Sequence, residues 1–110
     1  MAWLLREGEV LASTEVVSGP FARWRALVGR SRTEGAVLLR PARSAHTLGS
    51  GGPVDVVFCD SALAVVEVVA GVASGRLLRP RPKARAVVGA EAGWVDRHRI
   101  KVGDQLELRG

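Results

Sequence analysis

Short apolar runs separated by glycine and proline dominate the chain, and they predict a mainly β protein. Most of these runs are rich in valine, whose β-branched side chain favours strands. We therefore predict a compact, antiparallel, β-barrel-like single domain over residues 1–110, at the margin of the α+β class. The predicted strands are Trp3–Arg6, Glu9–Val17, Ala36–Leu39, Pro53–Cys59, Leu63–Val72, Ala86–Ala90 and Gln105–Leu108.

One segment has helical rather than strand spacing. Apolar residues recur at the spacing of a helix face from Phe21 to Val28, with arginines between them. Pro20 precedes this run and Gly29 follows it, which suits the first turn and the C-cap of a helix. The pattern predicts a short helix near 20–29.

The sequence allows more specific predictions for two later segments. In the run Leu63–Val72, Glu67 is the only charged residue. We therefore expect most of this strand to be buried on both faces, with Glu67 exposed or paired. The sequence of residues 93–99 predicts a helical turn. In this turn we expect Trp94 to close one end of the barrel.

Composition narrows the class of protein. The chain has 110 residues, 47% of them hydrophobic, a formal net charge of +5 and a mean hydropathy of +0.14. A chain this apolar is not intrinsically disordered, and its single cysteine, Cys59, excludes an internal disulfide framework. No run approaches the roughly 20 apolar residues of a membrane-spanning helix, and the N-terminus lacks a signal-peptide pattern. These features predict a cytoplasmic protein without a membrane span.

An ordered set of motifs runs through most of the chain. It reads RALVGR at 25–30, EGAVLL at 34–39, HT at 46–47, PVDVVFCD at 53–60 and RIKVGD at 99–104. This order resembles the bacterial and archaeal family called domain of unknown function 192, in which a GLMGR-like helix end, a GMLF strand, an HT or NT turn and a P-[LI]-D-[IV]-x-F-x-D strand follow one another. The resemblance implies a mainly antiparallel β-barrel-like fold with one or two short helices, and no established activity.

The resemblance also implies a candidate pocket. Its His-Thr turn and its Pro-x-Asp strand correspond here to His46, Thr47 and Asp55. Two neighbouring positions depart from the family pattern. The loop 48–52 reads LGSGG where a Met and bulky or basic residues are usual, and Gly89 stands where a Glu is usual. We predict a non-enzymatic binding or accessory module whose binding surface surrounds His46, Thr47 and Asp55.

A small hydrolase is the enzymatic alternative. His46 and Asp55 would form its general-base pair, with a nearby hydroxyl group as nucleophile. The chain contains no nucleophile elbow, so we assign no catalytic residue. For Asp55 itself we favour a structural role, in which its carboxylate accepts hydrogen bonds from backbone amides of the 46–52 loop.

A proline-containing segment carries five basic residues: Arg76, Arg79, Arg81, Lys83 and Arg85. Its prolines make it a poor central strand and a good exposed connection, and the basic residues would form one stripe if it were extended. A third hypothesis is therefore a binder of nucleic acid or of an acidic protein. The segment has no aromatic residue for base stacking, and we favour a solvated edge that resists aggregation.

We predict no cofactor and no metal ion. His46, Cys59 and His98 do not have the spacing of metal ligands, and the carboxylate beside Cys59 favours a protonated, unreactive thiol. The sequence leaves the ligand, the reaction, the partner and the oligomeric state open, a homo-oligomer included.

Overall fold

The computed structural model describes residues 2–17, 35–47 and 52–110, which contain nine strands and one short helix. Strands β2 and β3 have the predicted bounds, and the other long strands differ from prediction by one or two residues at one end or, for the last strand, by one residue at both ends. The predicted helix near 20–29 lies outside the described residues. In chain order the elements are β1 (Ala2–Arg6), β2 (Glu9–Val17), β3 (Ala36–Leu39), β4 (Ala45–His46), β5 (Val54–Cys59), β6 (Val65–Val72), β7 (Leu77–Leu78), β8 (Ala86–Glu91), α1 (Trp94–His98) and β9 (Leu106–Arg109).

Seven of these strands form one sheet, in the order β6-β5-β8-β3-β2-β1-β9. Its neighbouring pairs in the described chain are antiparallel except β2 and β3, which run parallel. A parallel pair needs a long connection between its strands, and β2 and β3 are separated by 18 residues in the sequence. The mainly β, barrel-like class is confirmed, and the parallel pair is the one departure from an antiparallel sheet.

The two ends of the sheet approach each other, so the sheet curls into a half-barrel. Ala64, just before β6, forms a β-bridge with Gln105, just before β9. Beside this bridge, Val65 N donates to Asp104 O at 2.8 Å. The guanidinium of Arg6 in β1 donates to the Asp104 carboxylate at 3.0 Å. The seam between the sheet ends therefore combines backbone and ionic contacts.

Side chains on the two faces of the sheet form two cores, and β5 contributes to both because alternate residues of a strand point to opposite faces. Val57 belongs to the helix-side core, which also contains Trp94 of α1. Val56 belongs to the opposite core, which residues of the segments 40–47 and 76–85 cover. The predicted helical turn and the burial of its tryptophan are confirmed.

Strand β6 is not buried on both faces, and the prediction was wrong on this point. Only Val65 and Val72 are buried in it, while Ala70 and Gly71 are exposed. The physical reason is position, because β6 ends the described sheet: β5 pairs along one edge of it, whereas the described backbone bonds on its other edge are those of Val65 at the seam. The strands with continuous burial are β5 and β8, which lie inside the sheet. Glu67 is paired, as expected.

Candidate functional site

Asp55 lies near the start of β5 and is 2% exposed. Its Oδ1 accepts a hydrogen bond from Gly71 N at 2.8 Å, and its Oδ2 accepts from Gly93 N at 3.0 Å and Val95 N at 2.9 Å. A buried carboxylate needs such partners, since an unpaired buried charge is very costly. The amides belong to β6 and to the start of α1, whereas the sequence suggested amides of the 46–52 loop.

The start of α1 depends on Asp55, because the N-cap of this helix has no side chain. The N-cap is Gly93, whose φ of 100° lies in the left-handed region that favours glycine. The N–H groups at a helix start need an acceptor, and Asp55 supplies it from the neighbouring strand. Trp94 is then held against the helix-side core, where its Nε1 donates to Leu11 O at 3.3 Å.

Thr47 is completely buried, and its polar groups bond to the backbone of residues 73–76. Its Oγ1 donates to Ala73 O at 2.6 Å and accepts from Arg76 N at 2.9 Å. Its own N–H donates to Arg76 O at 2.9 Å, and its carbonyl accepts from Gly75 N at 3.0 Å. Thr47 therefore holds the turn between β6 and β7.

His46 precedes Thr47 in β4 and pairs with Leu77 of β7. It is half-buried, and this burial lowers the pKa of the imidazole from its ordinary value. The shift favours the neutral form of the ring.

The structure brings Asp55 and Thr47 to the same end of β6. Asp55 accepts from Gly71, and Thr47 donates to Ala73 two residues later. In both residues the side-chain oxygens are engaged by backbone groups. The binding role predicted for these two residues and His46 stays a prediction.

Cys59 is fully buried in the helix-side core. Burial raises the pKa of its thiol to about 12, with a further contribution from the neighbouring Asp60. This agrees with the expectation of an unreactive thiol. Among the described residues no group of three His, Cys, Asp or Glu side chains could hold a metal ion. The described helix is too short to span a membrane.

Segments 40–47 and 76–85 lie side by side over the opposite core, and we call them together the basic ribbon. Ala42 N donates to Arg85 O at 3.0 Å near one end of the ribbon, and β4 pairs with β7 near the other. The ribbon is amphipathic, because apolar side chains pack on the sheet and all its Arg and Lys residues except Arg81 are exposed. The packed residues are Ala42, Ala45, Leu78 and Ala84.

The outward side of the basic ribbon carries charge of one sign. Neither of its segments contains Asp or Glu. Clustered cations on one surface attract a polyanion over a Debye length, about 10 Å at 0.1 M salt. The exposed cations are Arg40, Arg43, Arg76, Arg79, Lys83 and Arg85.

Arg81 differs from the other basic residues of the ribbon because it turns toward the protein. Its guanidinium donates to both carboxylate oxygens of Glu67, at 3.0 and 2.8 Å. It also lies 4.6 Å from the centre of the Phe58 ring. The backbone turns as well, since Ala84 N donates to Arg81 O at 3.0 Å. The segment is therefore a turn with outward cations on both sides of Arg81, and not an extended stripe.

Sequence reasoning missed Arg40 and Arg43 as parts of the basic surface. Both are far from the 76–85 segment in sequence, and only the tertiary structure brings them beside it. A weak signal was present, because no acidic residue occurs between Glu34 and Asp55.

Two surface clefts are bordered by described residues. The smaller has a volume of about 340 Å³ and lies beside α1, where it is bordered by Gly35, Ala90, Glu91, Trp94 and Arg97. The larger is an open groove of about 540 Å³ along the seam, bordered by residues that include Arg40, Ser61, Leu63 and Gln105. Glu91 is the acidic residue among those described at the smaller cleft, and Ser61 and Glu107 both border the larger one.

The chain matches the model of the family DUF192, described as "Uncharacterized ACR", over residues 4–108. No curated protein matches it. A crystal structure of a protein of unknown function from Novosphingobium aromaticivorans has a TM-score of 0.79 at 18% identity, covering 96% of this chain and 82% of that one. A "putative transcription regulator" from Sinorhizobium meliloti has a TM-score of 0.78 at 20% identity, covering 96% and 90%. Likeness at these identities shows the fold.

Proposed function

The chain belongs to the DUF192 family, which is described as uncharacterized, so we propose its function from the described residues. The protein is a non-enzymatic binding module that holds the phosphate backbone of duplex nucleic acid on the basic ribbon. The observation that carries this proposal is a set of six exposed cations on two hydrogen-bonded segments without an acidic residue. Neutralisation of phosphates by such cations is the main source of non-specific affinity for nucleic acid.

Arginine dominates the ribbon, and this residue type suits phosphate. Five of the six exposed cations are Arg and one is Lys83. A guanidinium can donate two parallel hydrogen bonds to phosphate oxygens, which an ammonium group cannot do. The ribbon is also held on the sheet by its apolar side chains, so little conformational freedom of its backbone is lost on binding.

Duplex nucleic acid fits the ribbon better than a single strand or an acidic protein. The ribbon has no Phe, Trp or Tyr, so it lacks the large aromatic rings on which unpaired bases stack. Protein interfaces usually have an apolar, aromatic centre, whereas Leu77 is the only large hydrophobic residue strongly exposed in this described segment. The description of the Sinorhizobium relative points in the same direction, although that likeness carries only the fold.

Salt-dependent binding tests the proposal. Fluorescence anisotropy would measure the Kd for a random duplex of about 20 base pairs between about 0.05 and 0.3 M salt. If all six cations contact phosphates, the affinity should fall with a log–log slope near 5, about 0.9 per contact. The double variant Arg43→Gln/Arg79→Gln should bind more weakly, with a slope lower by about 2.

A matched control removes the same charge elsewhere. Arg97 and Arg99 are exposed at the end of α1, which packs on the helix-side core, and Arg97→Gln/Arg99→Gln should leave the salt slope unchanged. Equal weakening by both double variants would show that net charge alone governs binding, and would contradict the assignment to the ribbon. Equally strong competition by polyglutamate would instead indicate an acidic protein partner.

The binding surface around His46, Thr47 and Asp55 and the hydrolase alternative remain hypotheses of lower rank. Both oxygens of Asp55 accept backbone hydrogen bonds, so Asp55→Ala would disturb the fold as well as any site. His46→Ala is the better test. A ligand-induced thermal shift or a hydrolytic activity that disappears in this variant, with its melting temperature unchanged, would favour one of these hypotheses over the ribbon.

A further inference from the structure

We infer that Glu67 is a positioning residue for nucleic-acid binding, because it holds Arg81, and Arg81 holds the two segments of the basic ribbon together. The inference rests on the proposed function. It gives an acidic residue a favourable effect on the binding of an anion, which is the opposite of what its charge alone predicts.

The contacts of the Arg81 guanidinium fix both its position and its plane. Glu67 of β6 accepts two hydrogen bonds from it, and such paired bonds define an orientation that a single bond does not. Phe58 of β5, which is fully buried, presents its ring on another side. The guanidinium therefore joins the ribbon to two strands of the sheet.

The backbone of Arg81 transmits this position to the ribbon. Its N–H donates to Arg43 O at 2.9 Å, which joins the two segments, and its carbonyl accepts from Ala84 N, which closes the turn. Its guanidinium also donates to the carbonyl of Arg79. Arg43 and Arg79, which accept these hydrogen bonds, and Lys83, which lies within the turn, all carry exposed cations. Loss of the ion pair would leave these cations on a less ordered turn.

The ion pair persists over a wide pH range. The hydrogen bond from Arg81 lowers the pKa of Glu67 below its ordinary value, although partial burial opposes this shift. Glu67 is therefore ionised at any pH above about 5, and its charge is matched by Arg81 under ordinary assay conditions.

The sign of one mutational effect separates positioning from simple electrostatics. Glu67→Gln removes one negative charge from the protein, so electrostatics alone predicts tighter binding of a duplex. If Glu67 instead positions Arg81, the same substitution should weaken duplex binding. We expect a loss of affinity of about eightfold near 0.1 M salt, the equivalent of one phosphate contact, and a salt slope lower by about 1. A folded fraction that is constant over the salt range lowers the affinity without changing the slope, so the slope separates a lost phosphate contact from such partial unfolding.

A matched control has the same change of charge. Glu107 of β9 pairs with Arg109 at 3.0 Å, and both side chains are exposed. Glu107→Gln should therefore bind the duplex as tightly as the wild type or more tightly. Arg81→Lys keeps the charge but loses the two-bond geometry, and should resemble Glu67→Gln. Glu67→Asp, which keeps the charge on a shorter side chain, should lie between Glu67→Gln and the wild type.

The outcomes distinguish the inference from the proposed function. If Arg43→Gln/Arg79→Gln weakens binding while Glu67→Gln binds as well as Glu107→Gln, the positioning role is wrong and the ribbon assignment stands. If the wild-type protein shows no salt-dependent duplex binding, both are wrong. Faster amide hydrogen exchange at Arg81 and Ala84 in Glu67→Gln would support the inference, and unchanged exchange at both amides would contradict it.

Discussion

Asp55 and the basic ribbon are polar regions built in opposite ways. Asp55 is almost completely buried, and three backbone N–H groups compensate its charge inside the protein. The six outward cations of the ribbon are exposed, and Glu67, the acid bonded to the ribbon, is matched by Arg81. A polar group whose partners are internal contributes to the fold, while exposed charge of one sign is available to a partner. Substitutions at the first region should therefore change stability, and substitutions at the second should change affinity.

The largest expected effect is at Asp55. Asp55→Ala should lower the free energy of unfolding by about 3 kcal/mol or more, because three N–H groups lose their acceptor and α1 loses its cap. Urea denaturation at pH 7 measures this change. Asp96 is an exposed acid on α1, and Asp96→Ala should cost no more than about 0.5 kcal/mol. Similar midpoints for the two variants would show that the buried carboxylate is not structural.

Thr47 should show the next largest effect. Thr47→Val keeps the shape of the side chain but leaves Arg76 N and Ala73 O without a partner, which we expect to cost about 2 kcal/mol. Thr47→Ser keeps the hydroxyl and should cost less. If Thr47→Val melted at the wild-type temperature but abolished a ligand-induced thermal shift, Thr47 would belong to a binding surface. The contrast between buried polar residues that support the fold and exposed ones that bind a partner would then be wrong.

Asp104 at the seam should give a smaller effect that depends on pH. Burial alone would raise the pKa of its carboxyl, but hydrogen bonds from Lys101 and Arg6 outweigh burial and lower the pKa. A lowered folded-state pKa stabilises the protein above the unfolded-state value near 3.9, and this contribution is lost as the pH falls through the folded-state pKa.

We therefore expect Asp104→Asn to lower the free energy of unfolding by about 1–2 kcal/mol at pH 7. The difference from the wild type should be smaller at about pH 3 than at pH 7, because protonation of Asp104 removes the charge that Lys101 and Arg6 stabilise. Urea denaturation at both pH values measures it, and a difference that stayed as large at the lower pH would mean that the stabilising interaction is not ionic.

The ribbon should give the smallest effect on stability. Arg43 and Arg79 contribute backbone carbonyls to the described contacts of the ribbon, and their side chains are exposed. Arg43→Gln/Arg79→Gln should change the free energy of unfolding by less than about 0.5 kcal/mol, even where it weakens duplex binding strongly. A clear loss of stability in urea would show that these side chains support the fold, and the contrast with Asp55 would not hold.

Local sequence patterns predicted most strands and the chemistry of several buried residues. The bounds of β2 and β3 follow from runs of apolar and alternating residues, and these were predicted correctly. The bonding of Asp55 to backbone amides and the high pKa of Cys59 also follow from single residues within an apolar strand. Such features depend on neighbours in sequence, because alternation and burial are local properties of a strand.

Local patterns did not predict which segments meet. The valine-rich β6 looks like a central strand in sequence, yet it ends the described sheet. Strands β4 and β7 contain two residues each, which is too short for any periodicity. The amide partners of Asp55 were missed for the same reason, since Gly93 is far from it in sequence.

The amino-acid sequence alone determined the strand-rich class, the absence of acids from two basic segments, and the need of Asp55 for hydrogen-bond partners. Only the tertiary structure decided that those two segments form one surface, that Arg81 turns inward to Glu67, and that Asp55 caps α1. The physical reason is that composition and alternation set the environment each side chain requires. Pairing of distant segments instead depends on backbone hydrogen bonds, which every residue type except proline can donate and accept.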